Sequence, residues 1–298
     1  MKTKKRLLLL GKYGLLSQAV MRAAPKESYE VVTISKTDGN DLNNVKNILE
    51  LKTLLNNYKP DLLFNATAIT DLNYCELNSD QAWLLHARLP GLLAAWCSNY
   101  SIPWVHVSTD HYYRATDNIY HTELDAVAPM NEYASSKLAG EYLALTSPRA
   151  LVLRTNIIGK RGWKNQPNFA EWVLSSLKNK VQFDGYTDTW TSSIQVDQFA
   201  SLALKMAVNG ANGLMNLACT ESLSKAEWIE KIAHSAGMKT NNLNKVRTPQ
   251  AVEGSVQRAN AMGLDCSKSQ AYLNSLGLTL PDSNMVSEAL VKSFQDEL

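Results

Sequence analysis

The first half of the sequence alternates short, continuously apolar runs with longer stretches of helical periodicity. The apolar runs read, in chain order, RLLLL, EVVTIS, DLLFN, PWVHVS and ALVLR. The helical patterns between them cover residues 15–24, 43–57, 80–100 and 130–145. Apolar runs without alternation are typical of parallel strands that helices bury on both faces, and right-handed crossovers connect such strands. This order of elements therefore predicts an α/β fold with a doubly wound, Rossmann-like parallel sheet.

Charge and composition exclude several function classes. The 298 residues carry 30 basic and 28 acidic side chains, a net charge of +2. That balance argues against nucleic acid or an anionic membrane as a main partner. The basic segment KTKKRLLLL imitates a secretion signal, but its apolar run stops at Gly11, so we expect a cytoplasmic protein. No run approaches the roughly 20 apolar residues that span a bilayer.

The cysteines predict neither a metal site nor a disulfide framework. They are scattered without a C-x-x-C pair, at Cys75, Cys97, Cys219 and Cys266. Zinc sites and disulfide scaffolds both show recognisable cysteine spacings. We therefore expect reduced thiols, as in a cytoplasm, and no bound metal.

A turn containing two glycines follows the first predicted strand, in the segment GKYGLLS. Gly11 and Gly14, with Tyr13 and Leu15 beside them, let the backbone approach a pyrophosphate, and the start of the next helix attracts its charge. Ser17 stands where this fingerprint normally has Gly or Ala, and a Gly-x-x-Gly pair alone is a common turn. The position directly after the first strand favours a dinucleotide site.

The end of the second predicted strand bears on the choice of cofactor. NAD sites commonly place Asp or Glu there to bind the ribose 2′-hydroxyl, whereas a cation accommodates the 2′-phosphate of NADP. Ser35 and Lys36 occupy this position, which favours NADPH, while Asp38 follows closely and keeps NADH as an option. A merely solvated turn lysine is the alternative for Lys36. Further residues expected to line the cofactor are Asp41, Leu42, Asn65, Ala66, Thr67 and Ala68.

The regular alternation ends after Arg154, and this change predicts the domain organisation. The chain continues into GKRGWKNQPN and later FDGYTDTWTSS, loops rich in Gly, Asn, Asp and Trp. Binding specificity usually resides in loops on a rigid scaffold. We expect a dinucleotide-binding domain over residues 1–155, to which part of 190–215 returns, and a smaller C-terminal substrate-binding lobe, mainly 156–298. Four more helices are predicted, over 196–207, 224–236, 266–276 and 285–294.

Tyr133 and Lys137 stand four residues apart in the predicted helix NEYASSKLAGE. This spacing places both side chains on one side of a helix, where the ammonium favours ionisation of the phenol and both can contact a cofactor. Ser108 and Thr109 end the fourth predicted strand, and strand ends face the ligand in a doubly wound sheet. A carbonyl that accepts a hydride can take a proton from Tyr133 and a hydrogen bond from Thr109. Taken alone, the pair also fits an exposed helix surface.

At these motifs the sequence resembles the extended short-chain dehydrogenase/reductases and, more narrowly, the dTDP-4-dehydrorhamnose reductase family. The resemblance rests on LLLLGKYGLLS, PWVHVSTD, NEYASSKLAGE and RANAMGLDCSK, and it extends over nearly the whole chain. It implies that Thr109, Tyr133 and Lys137 are catalytic. It also implies NAD(P)H-dependent reduction of a 4-keto-6-deoxy sugar that is attached to a nucleoside diphosphate.

The chain departs from this family at several positions. His111 follows Ser-Thr-Asp where the family usually has tyrosine, and Asn156-Ile157 replace a frequent Ser-Trp. His86 replaces an expected asparagine and Asn73 an expected aspartate. These differences leave the predicted acid and lysine in place, so they bear on the particular sugar more than on the reduction.

The resemblance also suggests which residues contact the substrate. Arg258 is the first choice for the diphosphate, because a guanidinium binds phosphate bidentately, and Lys160 and Arg161 compete for that role. Trp190 is a candidate for stacking on a base or sugar, with core packing as the alternative. The predicted substrate contacts are Ser108, Thr109, Asp110, His111, Asn156, Trp190 and Arg258. Structural roles are expected for the other histidines, which are His86, His106, His121 and His234.

Two other functions stay open on the sequence. Dehydratases of the same superfamily tend to place a glutamate after the Thr-Asp pair, where this chain has His111, and this lowers the dehydratase or epimerase option. The second is a regulatory subunit that keeps the nucleotide fold without catalysis, for which the altered glycine motif leaves room. A nucleotide sugar is the expected ligand, and a homodimer is a possible assembly.

Overall fold

A computed structural model describes residues 4–36, 39, 41–114, 119–163, 166–250, 252 and 254–296. Its strands are β1 Lys5–Leu10, β2 Tyr29–Ile34, β3 Leu62–Asn65, β4 Trp104–Val107, β5 Tyr120–His121, β6 Ala150–Arg154, β7 Asn156–Ile158, β8 Phe183–Tyr186, β9 Trp190–Thr191, β10 Ser193–Gln195, β11 Gly213–Asn216, β12 Leu223–Ser224, β13 Leu243–Val246 and β14 Ala261–Leu264. Its α-helices are α1 Leu15–Ala23, α2 Ile48–Leu55, α3 Leu72–Leu77, α4 Ser79–Trp83, α5 Leu89–Tyr100, α6 Glu132–Ala144, α7 Phe169–Lys178, α8 Val196–Val208, α9 Lys225–Ser235, α10 Ser267–Ser275 and α11 Ser283–Lys292.

Six strands form the main sheet, in the order β11-β6-β4-β3-β1-β2. The ladders that join β2, β1, β3, β4 and β6 are all parallel. From β1 the chain first adds β2 on one side and then adds β3, β4 and β6 on the other, so the direction of winding reverses after β2. Such a reversal defines a doubly wound sheet. The predicted fold class is therefore confirmed.

The core explains why the strands read as continuous apolar runs. Residues 7–10 of β1 are all 0% exposed, so both faces of this strand are covered. On one face, Leu8 and Leu10 pack in a cluster with Leu51 of α2 and Leu93 of α5. Burying one such leucine contributes about 1.5–3 kcal/mol. If polar residues alternated with apolar ones in this strand, this contribution would be lost at every second position.

The helix predicted over 80–100 is present, but it contains one irregular turn. A π-helical turn covers Leu84–Arg88, between α4 and α5, and the amide of Leu89 donates to the carbonyl of Leu84, five residues earlier. Pro90 follows as the second residue of α5. Proline has no amide hydrogen, so it cannot donate to the carbonyl of His86. The turn widens where that hydrogen bond is lost.

The chain divides into two compact units. The first unit comprises residues 1–109, 129–154 and 200–215, and the second comprises 110–128, 155–199 and 216–298. The sequence analysis placed 110–128 in its first domain. These residues instead group with the second unit, where β5 pairs with β14 in parallel.

The second unit contains small sheets and a helical core. Its sheets have the strand orders β12-β9-β14-β5, β10-β7 and β13-β8. Its core joins α7, α9 and α11 through buried residues that include Val173, Trp228 and Leu290. No helix within the described residues is both long and apolar enough to cross a membrane.

Candidate active site

The register of the main sheet aligns the ends of its strands. Leu10 pairs with both Ile34 and Asn65. The amide of Gly11 donates to the carbonyl of Ile34 at 2.8 Å, and the amide of Ala66 donates to the carbonyl of Leu10 at 3.2 Å. The loops that follow the first three strands therefore begin at the same edge, where ligands bind in open α/β sheets.

The turn after β1 has the features of a pyrophosphate site. Gly11 has a φ of +92°, which glycine adopts readily, and a Cβ there would lie 3.2 Å from Ser17 Oγ. Gly14 precedes α1 without a side-chain cap, which leaves the first helical amides for another acceptor. Ser17 Oγ is buried, and none of the described groups hydrogen-bonds it. Tyr13 is exposed and Leu15 half-buried on this turn. A narrow turn with open donors fits the diphosphate of a dinucleotide.

The end of β2 presents a cation. Ser35 is buried, whereas Lys36 is exposed and its Nζ lies 3.1 Å from Asp41 Oδ2. Surface ion pairs of this kind contribute little, so Lys36 can exchange this partner for a phosphate at low cost. Leu42 is buried beside Asp41. Asp38, the residue that kept NADH as an option, lies outside the described residues.

Hydrogen bonds between its own residues fix the start of the loop after β3. Asn65 Oδ1 accepts hydrogen bonds from the amide and hydroxyl of Thr67, at 3.2 and 2.6 Å. Asn65 Nδ2 lies 3.2 Å from His106 Nδ1, and burial holds the pKa of His106 well below its usual value, so this imidazole is neutral. The loop therefore presents backbone and the small residues Ala66 and Ala68.

Tyr133 and Lys137 are buried on α6, with exposures of 8% and 2%. Asn131 caps the start of this helix, because its side chain accepts a hydrogen bond from the amide of Ala134 at 2.8 Å. The Tyr133 ring packs in an apolar cluster that includes Cys75. The alternative of an exposed helix surface is thereby excluded for both residues.

Lys137 reaches the end of the fourth strand. Its Nζ donates to the carbonyl of Val107 at 2.5 Å. Burial lowers the pKa of Lys137 to about 8, while the charge of Glu141 one turn later opposes that shift. Thr109, two residues beyond Val107, is buried. This contact joins α6 to the strand end that carries the predicted catalytic threonine.

A buried ion pair that was not predicted from the sequence fixes the same region. Arg154 on β6 donates to both carboxylate oxygens of Glu141, from Nε at 3.0 Å and from a terminal nitrogen at 2.6 Å. The hydroxyl of Ser108 donates to Glu141 at 2.8 Å. The hydroxyl of Ser108, which was predicted to contact the substrate, therefore bonds to this ion pair. The sequence feature that could have indicated this pair is Glu141 at the end of the segment KLAGE. The segment contributed to the family resemblance, but no structural role was predicted for Glu141.

In the second unit, three predicted substrate contacts lie together. Asn156 Nδ2 donates to Asp110 Oδ2 at 2.8 Å, and Ser193 donates to Asn156 Oδ1 at 2.9 Å. His111 Nε2 lies 3.9 Å from Asp110 Oδ1. Asp110 is 1% exposed, so the amide orients a carboxylate that is held away from bulk water.

Lys225 belongs with this group but was missed. Its Nζ lies 4.5 Å from the centre of the Phe169 ring. Burial lowers the pKa of Lys225 to about 8, and the charge of Asp110 opposes that shift. Burial, followed by the charges of Lys225 and Arg258, lowers the pKa of His111 to about 4. Lys225 follows a helix cap in the sequence, SKAEW, and only the fold brings it to Asp110.

The remaining candidates differ in exposure. Trp190 is half-buried in β9, where its amide donates to the carbonyl of Asn260 at 2.8 Å, and Arg258 is exposed. Of its competitors, Lys160 lies 5.7 Å from the Phe294 ring and Arg161 lies 4.2 Å from the Trp163 ring. The described side chains include no group of three or more His, Cys, Asp or Glu arranged to hold a metal ion.

Characterised and curated proteins resemble this chain over most of its length. It is 29% identical over 239 residues to the probable low-salt glycan biosynthesis reductase Agl14 of Haloferax volcanii, which covers 76% of this chain and 79% of the relative. It is 30% identical over 212 residues to a dTDP-4-dehydrorhamnose reductase of Salmonella typhimurium, covering 68% of each.

Solved structures share the fold. A dTDP-4-dehydrorhamnose reductase of Bacillus anthracis, crystallised with NADP, superposes with a TM-score of 0.83 at 21% identity and covers 97% of this chain and 99% of the other. The RmlD substrate binding domain family matches residues 5–280. This match spans most of the chain, which therefore belongs to the RmlD substrate binding domain family.

Proposed function

We propose that this protein is an NADPH-dependent reductase of a nucleoside-diphosphate-linked 4-keto-6-deoxy sugar. The observation that carries the proposal is the burial of Tyr133 and Lys137, with Lys137 bonded to the strand end that precedes Thr109. Buried titratable groups of this kind are typical of catalytic sites. The names of the relatives supply the substrate class, since several are dTDP-4-dehydrorhamnose reductases.

The proposed chemistry assigns one task to each side chain. Reduced nicotinamide, when bound, supplies the hydride. Tyr133 gives its phenolic proton to the ketone oxygen as negative charge develops there. Lys137, as an ammonium, stabilises the resulting phenolate, and Thr109 donates a hydrogen bond to the same substrate oxygen. The sugar product is an alcohol, and Tyr133 recovers its proton from water.

The first unit contains the residues proposed for the cofactor. Gly11 and Gly14 allow a close approach of the diphosphate, and the unpartnered Ser17 Oγ lies beside that turn. Lys36 supplies the charge that would select the 2′-phosphate of NADPH. The similar reductase of Bacillus anthracis was crystallised with NADP. NADH remains the second choice.

The second unit contains the residues proposed for the substrate. Asp110, His111 and Asn156 offer hydrogen bonds to sugar hydroxyls, and Arg258 with Lys225 offers positive charge to the diphosphate. Trp190 is proposed as a stacking surface. We also propose that the protein works in the cytoplasm and forms a homodimer.

The relatives do not favour the alternatives. Those compared above are named as reductases, and the predicted catalytic set is intact. A regulatory subunit would have no need for a buried lysine beside a buried tyrosine. An epimerase or dehydratase would need a group that removes a proton from carbon, and burial lowers the pKa of His111 to about 4, which makes its imidazole a weak base.

A substrate panel tests the proposal. Purified protein would be mixed with NADPH or NADH and with dTDP-, UDP-, GDP- and CDP-linked 4-keto-6-deoxy sugars, and the loss of absorbance of the reduced cofactor followed. We expect oxidation of NADPH with at least one sugar, and the preferred nucleotide identifies the substrate. If the reduced cofactor is not consumed with any sugar, the proposal is wrong.

A further inference from the structure

His86 lies at an irregular point of the first unit. It is in the middle of the π-helical turn Leu84–Arg88 and is 1% exposed. Single π-helical turns depart from regular α-helical geometry and are often found at functional sites. The sequence analysis expected His86 to be a structural histidine. Its contacts suggest a more specific role.

Both ring nitrogens of His86 are engaged. Nε2 accepts a hydrogen bond from the amide of Ile69 at 2.9 Å. The proton of the neutral ring must therefore be on Nδ1, which lies 3.0 Å from Ser136 Oγ. The Ser136 hydroxyl in turn donates to the carbonyl of Tyr133 at 3.0 Å. A continuous chain of hydrogen bonds thus runs from the loop after β3, through His86, to the backbone of Tyr133.

His86 also touches the Tyr133 side chain. The two rings meet edge to face, with centroids 5.6 Å apart and planes at 88°. Such pairs have a preferred geometry, so the contact restricts the direction of the phenol. The helix packs closely against this turn, because a Cβ at Gly140 would collide with the carbonyl oxygen of His86. Tyr133, Ser136 and Gly140 share one face of α6 at helical spacing.

The protonation state of His86 suits this arrangement. Burial, followed by the charge of Lys137, lowers the pKa of His86 to about 3, and the hydrogen bond with Ile69 opposes that shift only in part. The ring is therefore neutral at any working pH, and Nε2 stays an acceptor. A charged ring would carry a hydrogen on both nitrogens and would repel the amide of Ile69.

We infer that His86 is a positioning residue for Tyr133, holding its backbone through Ser136 and its ring by direct contact. The inference rests on the proposed role of Tyr133 as the acid. His86 does not take part in proton transfer in this account. It sets the direction of the phenol, and an error of about 1 Å in such placement can cost roughly 100-fold in rate.

Three substitutions separate the hydrogen bonds from the ring contact. His86→Phe keeps a ring but removes both bonds, and we expect kcat to fall about 10- to 100-fold with KM for NADPH nearly unchanged. His86→Asn keeps a donor near the position of Nδ1 but is too short to accept the hydrogen bond of the Ile69 amide, so it should recover only part of that loss. Ser136→Ala removes the hydroxyl that links His86 Nδ1 to the carbonyl of Tyr133 but keeps the bond with Ile69 and the ring contact, so it should give an intermediate loss. His234→Phe, on the exposed face of α9, is the matched control and should leave kcat unchanged.

A second readout does not depend on turnover. The ionisation of Tyr133 can be followed as the difference between ultraviolet titrations of each variant with and without Tyr133→Phe. We expect His86→Phe and Ser136→Ala to displace the titration midpoint of Tyr133 and His86→Asn to restore it in part. Failure of the wild type on every sugar would refute the proposed function and leave this titration as the test of His86. An active wild type with equal kcat and equal midpoints in all His86 variants would refute the positioning role.

Discussion

The two units of this protein hold their candidate site residues in different ways. In the first unit, Tyr133 and Lys137 are buried on a long helix that a bidentate ion pair, Glu141 with Arg154, ties to the sheet. In the second unit, Asn156 at the start of the short strand β7 donates a hydrogen bond to Asp110 and accepts one from Ser193. Chemistry common to a family needs fixed geometry, whereas recognition of one sugar must change between relatives. The comparison therefore suggests a rigid reaction site and an adaptable recognition site.

Removal of the buried carboxylate should have the largest effect on stability. Glu141→Gln leaves the Arg154 guanidinium buried without its counter-charge, and loss of one partner of such a pair costs about 3–5 kcal/mol. The corresponding change in the second unit, Asn156→Ala, removes single hydrogen bonds and should cost about 1–3 kcal/mol. Denaturant unfolding of the purified variants measures both free energies.

The exposed residue Glu288 provides the control for this comparison. Glu288→Gln makes the same chemical change on the surface of α11 and should leave the midpoint of unfolding close to that of the wild type. Equal destabilisation by Glu141→Gln and Asn156→Ala would contradict the proposed difference in rigidity.

Removal of the proposed acid should have the largest effect on turnover. Tyr133→Phe keeps the buried ring and deletes only the hydroxyl, so we expect kcat to fall at least about 100-fold while the affinity for NADPH changes little. Steady-state kinetics measure kcat, and titration with NADPH measures the affinity for the cofactor. A variant with undiminished turnover would show that another group donates the proton.

Lys137, which is buried, and Lys225, which is half-buried, should affect different kinetic constants as the pH rises. The pKa of Lys137 is lowered to about 8, so its ammonium is present below that pH and lost above it. We expect kcat to fall about tenfold per pH unit on that side. Lys225 also has a pKa of about 8, and its loss of charge should raise KM for the nucleotide sugar.

Lys225→Gln tests this separation. The variant should have a raised KM at every pH, without the further rise above pH 8, and should keep the basic decline of kcat. If the decline of kcat disappears in this variant, Lys225 belongs to the reaction rather than to recognition.

The smallest effect is expected at the cofactor ribose. Lys36 is exposed and its ion pair with Asp41 is weak, so Lys36→Asp should reduce affinity for NADPH by roughly tenfold and affinity for NADH much less. Titration with each nucleotide measures the change. Equal effects on the two cofactors would remove the basis for the NADPH preference.

Sequence patterns predicted more of the first unit than of the second. The apolar runs identified five of the six strands of the main sheet, all except β11, and its parallel register brings Gly11 and Ala66 to one edge. Tyr133 and Lys137 were found because helical spacing is visible in a sequence. Contacts between distant segments were not visible in this way, and this explains why the roles of Glu141 and Lys225 were missed.

Two structural features, a π-helical turn and several very short strands, could not be predicted from the periodicity of apolar residues. The apolar periodicity of residues 80–100 predicts one helix, but Pro90 removes a hydrogen bond and a π-helical turn takes its place. His86 occupies that turn, so its role followed from the irregularity. In the second unit the strands β5, β9 and β12 have only two residues each, too few for any alternation to be read.

The most direct test follows hydrogen from the cofactor to the sugar. NADPH deuterated at the transferable position would be incubated with the preferred 4-keto-6-deoxy nucleotide sugar, and the product examined by mass spectrometry and NMR. We expect one deuterium at carbon 4 of the sugar with the wild type, and a greatly slowed transfer with Tyr133→Phe. Consumption of the sugar without deuterium at carbon 4, or undiminished transfer in the variant, would contradict this expectation.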